Sequence, residues 1–456
     1  MLMRFSVSNY MSFGYKTDSN GEVIPTDYYL YAGNAEQHND RVINFRKRRV
    51  LKFSSIYGAN ASGKSNLIKA MDAGRQIILR TMDGLKFEQE FCRNQKTNVD
   101  KPTQFEYEFT IGDKCYAYGF TVNLEKQIVL SEWLYEMEDK NEHVIFERLV
   151  TEQRYYFDEN LFHDEEQLLQ FHFFIKDANR INTTLLLHEI KRRGIKEDEY
   201  KVFNQIYQWF KDKLVIIYPN TIISESYGWF GNDNQRLIDI LRYFDTGITD
   251  YGMRKINETA LREYFNNETM ANRFFEELER RRSNGRAKGI LKINGTLLEV
   301  DYKKNEEPNI QKLMFKHGDD QYNYEYGEES DGTQRLIELL DVILNDSKDK
   351  VFVIDELDRS FHPQMTIKFV ETFLKFSAEK TTQLIITTHE SNLMDLKILR
   401  RDEIWFAEKE PDNSTKLYPL EMFKIRYDKV VSKNYLAGRY GAVPVFKDFE
   451  YVWGKE

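Results

Sequence analysis

The chain has 456 residues and a formal net charge of −9, with 65 basic and 74 acidic side chains. Its 14% aromatic content and its few glycines and prolines exclude a fibrous or generally disordered protein, and its length predicts about two or three domains. No apolar run is long enough to cross a membrane, the first residues alternate like a strand and lack the apolar core of a signal peptide, and Cys92 and Cys115 lack metal-ligand spacing. We therefore expect a reduced, cytoplasmic protein.

The first third of the chain is predicted to be rich in strands. Alternating apolar and polar residues predict an opening strand over 3–8, and an apolar strand over 50–57 stops at Gly58. A helix is predicted over 67–79 from the spacing of its apolar residues. An antiparallel meander is then predicted from the strands 104–109, 115–122, 128–137 and 143–149.

The character of the chain changes at about residue 153. Helical spacing and many charges predict an inserted helical lobe over 153–288. Its predicted helices are 166–174, 184–193, 198–214, 235–244 and 258–282. They hold no apolar heptad repeat of the length that a long coiled coil needs.

The last third of the chain predicts a parallel α/β sheet. Strand signals return at 290–302 and 313–326, after which helices and strands alternate, as they do where helical crossovers join parallel strands. The predicted helices are 333–344, 364–376 and a short one near 391–396, and the predicted strands are 351–354, 383–387 and 403–407.

A glycine-rich loop between a strand and a helix is the strongest functional signal. Residues 58–65 form a complete G-x-x-x-x-G-K-S pattern in the strand–loop–helix context that its mechanism requires. Backbone N–H groups of such a loop surround the phosphates of ATP, the lysine reaches the β- and γ-phosphates, and the serine ligates Mg²⁺. We expect nucleotide contacts from Gly58, Asn60, Ala61, Ser62, Gly63, Lys64, Ser65 and Asn66, and a metal contact from Ser65.

Two adjacent carboxylates follow the apolar strand 351–354. Asp355 and Glu356 lie at the carboxyl end of that strand, the edge at which α/β sheets bind ligands. Asp355 would hold Mg²⁺ through water, and Glu356 would act as the general base on the attacking water. A buried strand can also end in acidic residues simply because it reaches solvent there. The prediction therefore depends on the presence of the glycine-rich loop in the same sequence.

Two weaker motifs complete the series. Ser330-Asp331-Gly332 precedes a predicted helix, and His389 follows the strand 383–387. Taken alone, the first is typical of a turn and helix cap, and the second of a structural histidine. The order of all four motifs resembles that of ABC-type ATPase heads, such as those of SMC and DNA-repair ATPases, and residues 9–13 resemble the opening segment of such heads.

The resemblance implies an α/β ABC-type ATPase head, with a mixed sheet carrying the P-loop and an antiparallel β-subdomain, into which the helical lobe is inserted. By this resemblance, Ser330 and Gly332 of one chain would cap the γ-phosphate held by the glycine-rich loop of a partner chain. His389 would correspond to the switch histidine, and Asp358 to the acidic residue of the D-loop. Asp331 replaces the first glycine of the usual signature, which is a departure at that contact.

The predicted domains follow from this resemblance. Residues 1–152 would be the N-terminal half of the head, 153–288 the helical lobe, and 289–456 the C-terminal half. Lys64, Glu356 and His389 would be its catalytic residues. Gln104 and Gln153 are the candidates for the Q-loop glutamine.

The chain further resembles the abortive-infection ATPases of bacterial defence operons, relatives of the overcoming-lysogenisation-defect ATPases. The segments that carry this resemblance are 329–333, 402–406 and 434–444, and it runs in pieces from residue 3 to about 446. It implies a homodimer or larger assembly around ATP and Mg²⁺ that senses a phage trigger and regulates a separate toxic effector from the same operon.

Two alternatives remain open from the sequence. A DNA-repair ATPase that clamps duplex DNA would use the basic clusters 46–52 and 280–288, which are more typical of a solvated surface because the net charge is negative and no aromatic residues are interleaved with them. A stand-alone nuclease would need a metal-dependent domain, and the 67 residues after His389 are too few for one. We therefore expect any nuclease activity to belong to another polypeptide.

Overall fold

The computed structural model describes residues 1–35, 37–87, 89–139, 141–162, 164–193, 200–219, 234–283, 286–303, 306–318, 322–344, 349–424 and 430–444. The chain forms two compact units. Unit 1 comprises Met1–Ile216, Ser347–Leu357 and Ser377–Glu456, and unit 2 comprises Ile217–Asp346 and Asp358–Phe376.

Strands and helices alternate irregularly along the described chain. The strands are β1 (Leu2–Ser8), β2 (Thr26–Tyr29), β3 (Val42–Phe45), β4 (Arg48–Leu51), β5 (Phe53–Tyr57), β6 (Thr103–Ile111), β7 (Lys114–Asn123), β8 (Ile128–Met137), β9 (Glu142–Leu149), β10 (Arg154–Phe157), β11 (Leu214–Ile217), β12 (Ile248–Ile256), β13 (Arg286–Ile293), β14 (Thr296–Lys303), β15 (Asn309–His317), β16 (Tyr324–Glu325), β17 (Val351–Ile354), β18 (Gln383–Thr387), β19 (Ile404–Lys409) and β20 (Thr415–Pro419). The α-helices are α1 (Lys64–Leu79), α2 (Glu165–Ile181), α3 (Leu186–Arg192), α4 (Lys201–Gln208), α5 (Asn234–Tyr243), α6 (Glu258–Glu263), α7 (Glu268–Ser283), α8 (Asp331–Leu344), α9 (Pro363–Phe376) and α10 (Val431–Leu436).

A mixed six-stranded sheet in unit 1 positions the motifs. Its order is β11-β17-β18-β5-β19-β20, and the four strands from β17 to β19 run parallel. Every residue of β5, β17 and β18 is buried, as expected for strands covered on both faces. Because parallel strands end at the same edge, the loops after β5, β17 and β18 meet there. The predicted α/β fold with a P-loop on a mixed sheet is confirmed.

A second sheet in unit 1 is the predicted antiparallel subdomain. Its order is β10-β9-β8-β7-β6-β1-β2, so the expected meander is present as β6 to β9. Helix α1 lies close to this sheet, because the Tyr107 hydroxyl on β6 donates to the Met71 carbonyl at 2.7 Å. Gly74 permits that approach, since a Cβ atom there would lie 2.3 Å from the same hydroxyl oxygen.

A buried polar network joins β8 and β9 to the helices that follow them. Arg148 donates to Glu132 at 2.7 Å, to the Asn179 side chain at 3.1 Å and to the Thr184 carbonyl at 2.8 Å. The Glu132 carboxylate also accepts the backbone N–H of Leu186 at 2.9 Å, near the start of α3. The side chains of Arg148 and Glu132 are both 0% exposed, so the pair lies wholly inside unit 1.

Unit 2 is built on a third sheet. It has the order β12-β15-β14-β13, with β16 paired to β15, and its pairs are antiparallel. Helices α6 and α7 contribute to its apolar core, which comprises Leu261, Phe275, Leu298, Val300, Tyr302 and Ile310.

The compact units are divided differently from the three predicted domains, and the segment predicted as a helical lobe is shared between them. The residues up to Ile216, including α2 to α4, belong to unit 1, while unit 2 continues past residue 288 to Asp346. The lobe also contains strand β12 (Ile248–Ile256). The sequence pattern missed β12 because few of its side chains are buried, which leaves little alternation to detect.

Two predicted helices also differ from the structure. The helix predicted over 198–214 ends at Gln208 and continues as a π-helical turn, Trp209–Lys213, before β11. Trp209 lies there in a stacked arrangement with Phe109, with ring centroids 4.2 Å apart, so tertiary packing overrides the helical period. The helix predicted near 391–396 is a 3₁₀ turn over Ser391–Leu393.

The described residues contain neither a helix able to span a membrane nor a cluster of metal-ligating side chains. Among them, no helix is long and apolar enough to cross a membrane. Cys92 and Cys115 are both buried and unbonded to each other. The described part of the chain contains no group of three or more His, Cys, Asp or Glu side chains arranged to hold a metal ion.

The stability of unit 1 is expected to fall with rising pH through Glu403. This carboxyl is 0% exposed, and its Oε1 atom has no hydrogen-bond partner among the described residues, so burial raises its pKa from 4.5 to about 8. The folded chain therefore retains a proton that the unfolded chain loses between pH 4.5 and about 8, and stability is lost across that window. Thermal unfolding midpoints of the parent and Glu403→Gln should diverge in favour of the variant from pH 5 to 8. Parallel curves would contradict the assignment.

Candidate nucleotide site

The glycine-rich loop joins β5 to α1 and needs both of its motif glycines. Gly63 precedes the first residue of α1 with φ at 105°, a left-handed conformation that favours glycine. A Cβ atom on Gly63 would lie 2.1 Å from Thr415 Oγ1, and one on Gly58 would lie 2.4 Å from the Ala407 carbonyl oxygen. The loop is therefore closed tightly against β19 and β20. No side chain caps the first turn of α1, which leaves its backbone N–H groups as anion donors.

Lys64 and Ser62 bring polar groups into the loop. Lys64 is only 6% exposed, and its ammonium donates to the carbonyls of Gly58 at 2.9 Å and Ala59 at 3.2 Å. The Ser62 hydroxyl is buried and has no hydrogen-bond partner among the described residues. An orphaned hydroxyl beside a buried ammonium and a helix N-terminus fits a phosphate chain, because phosphate oxygens accept from all three.

The two acidic residues after β17 meet the loop at the sheet edge. Asp355 is 5% exposed, and its Oδ1 atom accepts from the hydroxyls of Ser65 at 3.0 Å and Thr387 at 2.6 Å. Glu356 follows with φ at 51°, and its backbone N–H donates to Thr387 Oγ1 at 2.8 Å. Ser65 and Asp355 are 290 residues apart in sequence, yet they form one cluster of oxygen ligands. Hard oxygen donors are those that Mg²⁺ prefers, so the donor set fits that ion.

The turn after β18 carries the predicted switch histidine. The Thr388 N–H donates to the Ile56 carbonyl at 3.2 Å, which ties this turn to the end of β5. His389 is exposed on the turn, and its neighbour Glu390 donates its N–H to the Thr388 hydroxyl at 3.0 Å. The histidine is therefore at the same sheet edge as Asp355 and the glycine-rich loop.

The predicted signature and D-loop residues, Ser330, Gly332 and Asp358, lie in unit 2. Ser330 caps α8, because its hydroxyl accepts from the Thr333 N–H at 3.1 Å, as a simple helix cap would. A Cβ atom on Gly332 would lie 3.1 Å from the Ser360 carbonyl oxygen, so the start of α8 lies against the segment that begins at Asp358. Unit 2 thus brings Ser330, Gly332 and the Asp358 segment together, and unit 1 brings Lys64, Ser65, Asp355 and Glu356 together.

The Q-loop glutamine stays unassigned. Gln104 lies on β6 opposite Thr121, and Gln153 donates its side-chain N–H to the Val150 carbonyl at 2.8 Å. Within the described ranges, neither forms a hydrogen bond to the glycine-rich loop.

Two further residues, Thr415 and Ser12, support the loop and were not singled out individually from the sequence. Thr415 donates to the Ser62 carbonyl at 2.8 Å, and the Ser12 hydroxyl lies 2.7 Å from Thr415 Oγ1. The Asn66 side chain also donates to the Ser12 hydroxyl, at 2.8 Å. Ser12 belongs to the opening segment 9–13, which did carry a signal, whereas Thr415 and Thr387 carry none that local pattern could detect.

Several side chains of the two basic clusters are engaged with the protein itself. Arg48 pairs with Glu108, and the buried Lys52 ammonium donates to the Ser377 carbonyl at 2.9 Å. In the second cluster, Arg280 pairs with Glu277 at 2.8 Å and Arg282 with Glu279 at 2.9 Å. Arg48 and Lys52 therefore have partners within the fold, whereas Arg280 stays 73% exposed beside its i,i+3 partner.

The segment 434–444 packs on the sheet next to the loop. The Tyr435 ring stacks on Phe406 of β19 with centroids 5.5 Å apart, and the Tyr418 hydroxyl donates to the Tyr440 carbonyl at 2.8 Å. The segment therefore covers the β19 and β20 end of the mixed sheet.

Comparison of the chain with known proteins identifies the family to which it belongs. The chain matches the family model described as "AAA domain, putative AbiEii toxin, Type IV TA system" over residues 53–158 and 150–395. No curated protein matches it. Solved structures similar to it include an SMC head bound to the C-terminal winged-helix domain of ScpA, at 13% identity and a TM-score of 0.39, covering 92% of this chain and 97% of that one. The SMC head domain from Thermotoga maritima has 13% identity and a TM-score of 0.36, covering 93% and 99%.

The family match confirms the resemblance to abortive-infection ATPases. Its two matched segments span most of the chain and include both the glycine-rich loop and the acidic strand end. The chain belongs to this family of AAA domains and is a P-loop NTPase by fold.

Proposed function

We propose that the protein binds ATP with Mg²⁺ at the glycine-rich loop and hydrolyses it. The main support for this proposal is the hydrogen bond of 3.0 Å from the Ser65 hydroxyl to Asp355, next to the buried Lys64 side chain. The first N–H groups of α1 and Lys64 would bind the phosphates, while Ser65 and Asp355 would hold the ion. When bound, Mg²⁺ supplies neutralisation of phosphate charge. Glu356 would take a proton from the attacking water at its carboxylate, and His389 would contact the γ-phosphate.

We further propose that ATP joins two copies of the chain head to head. Ser330 is exposed at the start of α8, where the helix N-terminus favours an anion. Ser330 and Gly332 would cap the γ-phosphate on the partner's loop, with Asp358 next to it. ATP would then shift the population of an assembly, and hydrolysis would reverse the shift.

The biological role that we propose is regulation of a separate toxic effector in bacterial anti-phage defence in the cytoplasm. Its support is the family description, which names a toxin and a type IV toxin–antitoxin system. An effector from the same operon and a phage component are the partners that this role requires. Purification of the natively expressed protein with whatever co-elutes, with and without ATP, would test it.

Lys64→Ala tests nucleotide binding directly. Removal of the ammonium takes away a charge-assisted contact to phosphate, so we expect the affinity for a fluorescent ATP analogue to fall by about tenfold to a hundredfold. Fluorescence anisotropy with Mg²⁺ present would measure this fall. Lys126→Ala, in the exposed turn between β7 and β8, is the matched control and should bind as the parent does. Equal affinities for Lys64→Ala and the parent would refute the proposed site.

A further inference from the structure

Thr387, the last residue of β18, connects the two acidic residues of the candidate site. It is 0% exposed. Its hydroxyl donates to Asp355 Oδ1 at 2.6 Å and accepts the Glu356 N–H at 2.8 Å. Its carbonyl also accepts the Leu357 N–H at 3.0 Å. One residue therefore contacts three consecutive residues that follow β17.

The direction of these hydrogen bonds is determined by chemistry. A hydroxyl has one hydrogen, and a backbone N–H can only donate. Because the Glu356 N–H occupies Thr387 Oγ1 as an acceptor, the single hydroxyl hydrogen is available to Asp355. The other carboxylate oxygen of Asp355, Oδ2, forms no hydrogen bond within the described ranges. The hydrogen bond from Thr387 thus holds Oδ1 of Asp355 toward the hydroxyls of Ser65 and Thr387. It leaves Oδ2 of Asp355 without a hydrogen bond among the described residues.

The backbone of Glu356 gives a second reason for this contact. Its φ of 51° is left-handed, a conformation that non-glycine residues adopt only when their surroundings hold it. The hydrogen bonds from the Glu356 and Leu357 N–H groups to Thr387 are such restraints. The conformation determines where the Glu356 side chain begins, and hence where its carboxylate can reach.

The packing of β18 does not require a hydroxyl group at residue 387. The residues before Thr387 in β18 include Leu384, Ile385 and Ile386, and all are 0% exposed. Valine has nearly the same shape as threonine and would fill this position without a polar atom to satisfy. The hydroxyl is matched specifically to the two acidic residues.

We infer that Thr387 is a positioning residue for the proposed ATP hydrolysis: its hydroxyl orients the Asp355 carboxylate toward the metal site and holds the Glu356 backbone in its left-handed conformation. The inference rests on the proposed function. It assigns to this residue an effect on Mg²⁺ affinity and on turnover, and none on the binding of ATP without the ion.

Thr387→Val, compared with Thr387→Ser, tests the inference. We expect Thr387→Val to bind ATP without Mg²⁺ as the parent does, but to need several-fold more Mg²⁺ for half-maximal enhancement of binding. Its kcat should fall by about tenfold to a hundredfold with a smaller change in KM, because a misplaced catalytic group loses rate at a bound substrate. Thr387→Ser keeps the hydroxyl and should restore both quantities.

Thr366→Val is the matched control. Thr366 is also 0% exposed, and its hydroxyl has no partner among the described residues, so its loss should change neither the Mg²⁺ requirement nor kcat. Parent-like Mg²⁺ dependence and kcat in Thr387→Val would overturn the inference while the proposed function stands. An unfolded Thr387→Val would make the hydroxyl a requirement of the fold and would also overturn it. A parent chain that neither binds nor hydrolyses ATP would refute the proposed function itself.

Discussion

Glu356→Gln is expected to bind ATP as the parent does and to lose roughly two to four orders of magnitude in turnover. The amide has the shape of the carboxylate but cannot take a proton from the attacking water, and general-base catalysis typically contributes a factor of that size. The backbone N–H of residue 356 is unchanged, so its 2.8 Å bond to Thr387 is retained and the loop should stay in place. Phosphate release under steady state and analogue binding by anisotropy would measure the two quantities separately.

The matched control for this variant is Glu142→Gln. Glu142 is exposed at the start of β9 and lies in the antiparallel sheet, so the same chemical change there should leave turnover at the parent level. Parent-like turnover in Glu356→Gln would remove this residue from the role of general base. Loss of ATP binding in Glu356→Gln would show instead that the carboxylate supports the loop.

The same variant reports on the proposed dimer. If hydrolysis reopens an ATP-bound pair, Glu356→Gln should accumulate a species of twice the chain mass when ATP and Mg²⁺ are present, as measured by light scattering after gel filtration. Ser330→Arg in that background should abolish this species and leave ATP binding intact, because the arginine obstructs the exposed start of α8. A monomer at all ATP concentrations would contradict the head-to-head arrangement.

The parts of the site that could be predicted from the sequence are those that a short segment determines. The glycine-rich loop is eight consecutive residues between an apolar strand and a helix, and two acidic residues end an apolar strand. Both sets of residues lie at the predicted edge of the sheet. Thr387 and Thr415 could not be found in this way, because their partners Asp355 and Ser62 are 32 and 353 residues away and a lone threonine has no pattern.

The limits of the fold prediction have a similar cause. The meander of β6 to β9 alternates strongly and was predicted, whereas the partly exposed β12 was not. The division between the units at Ile216 and Ile217 depends on which distant segments pack together. The change of composition at residue 153 marks the start of many charged helices, but α2 and α3 contact the same subdomain as the strands before them, through Arg148 and its partners.

Arg148→Ala is expected to cause the largest loss of stability, about 3–5 kcal/mol, because it leaves a buried carboxylate without its counter-charge. Both side chains of the Arg148–Glu132 pair are 0% exposed. After the substitution, the donors left to Glu132 among the described residues would be the Tyr118 hydroxyl at 2.6 Å and the Leu186 N–H. The side chain of Asn179 and the carbonyl of Thr184 would lose a donor as well.

The measurement must be local, since a chain with two compact units need not unfold in one step. Hydrogen exchange of the backbone in α2 and α3 would report the loss where the network acts, and the midpoint of thermal unfolding would support it. Arg180→Ala is the matched control: that arginine also pairs with a carboxylate, Asp177, but is 80% exposed, so its removal should cost a small fraction of the effect.

A double variant separates the charge from the hydrogen bonds. In Arg148→Met with Glu132→Gln, no buried charge remains, and the glutamine carbonyl can still accept from Tyr118 and Leu186. We therefore expect the double variant to recover most of the stability that Arg148→Ala loses, since replacing both members of a buried ion pair is often close to neutral. If the double variant is as unstable as Arg148→Ala, the ion pair is not what holds the helices on the sheet. The hydrogen bonds from the guanidinium to Asn179 and Thr184 would then be the stabilising contacts.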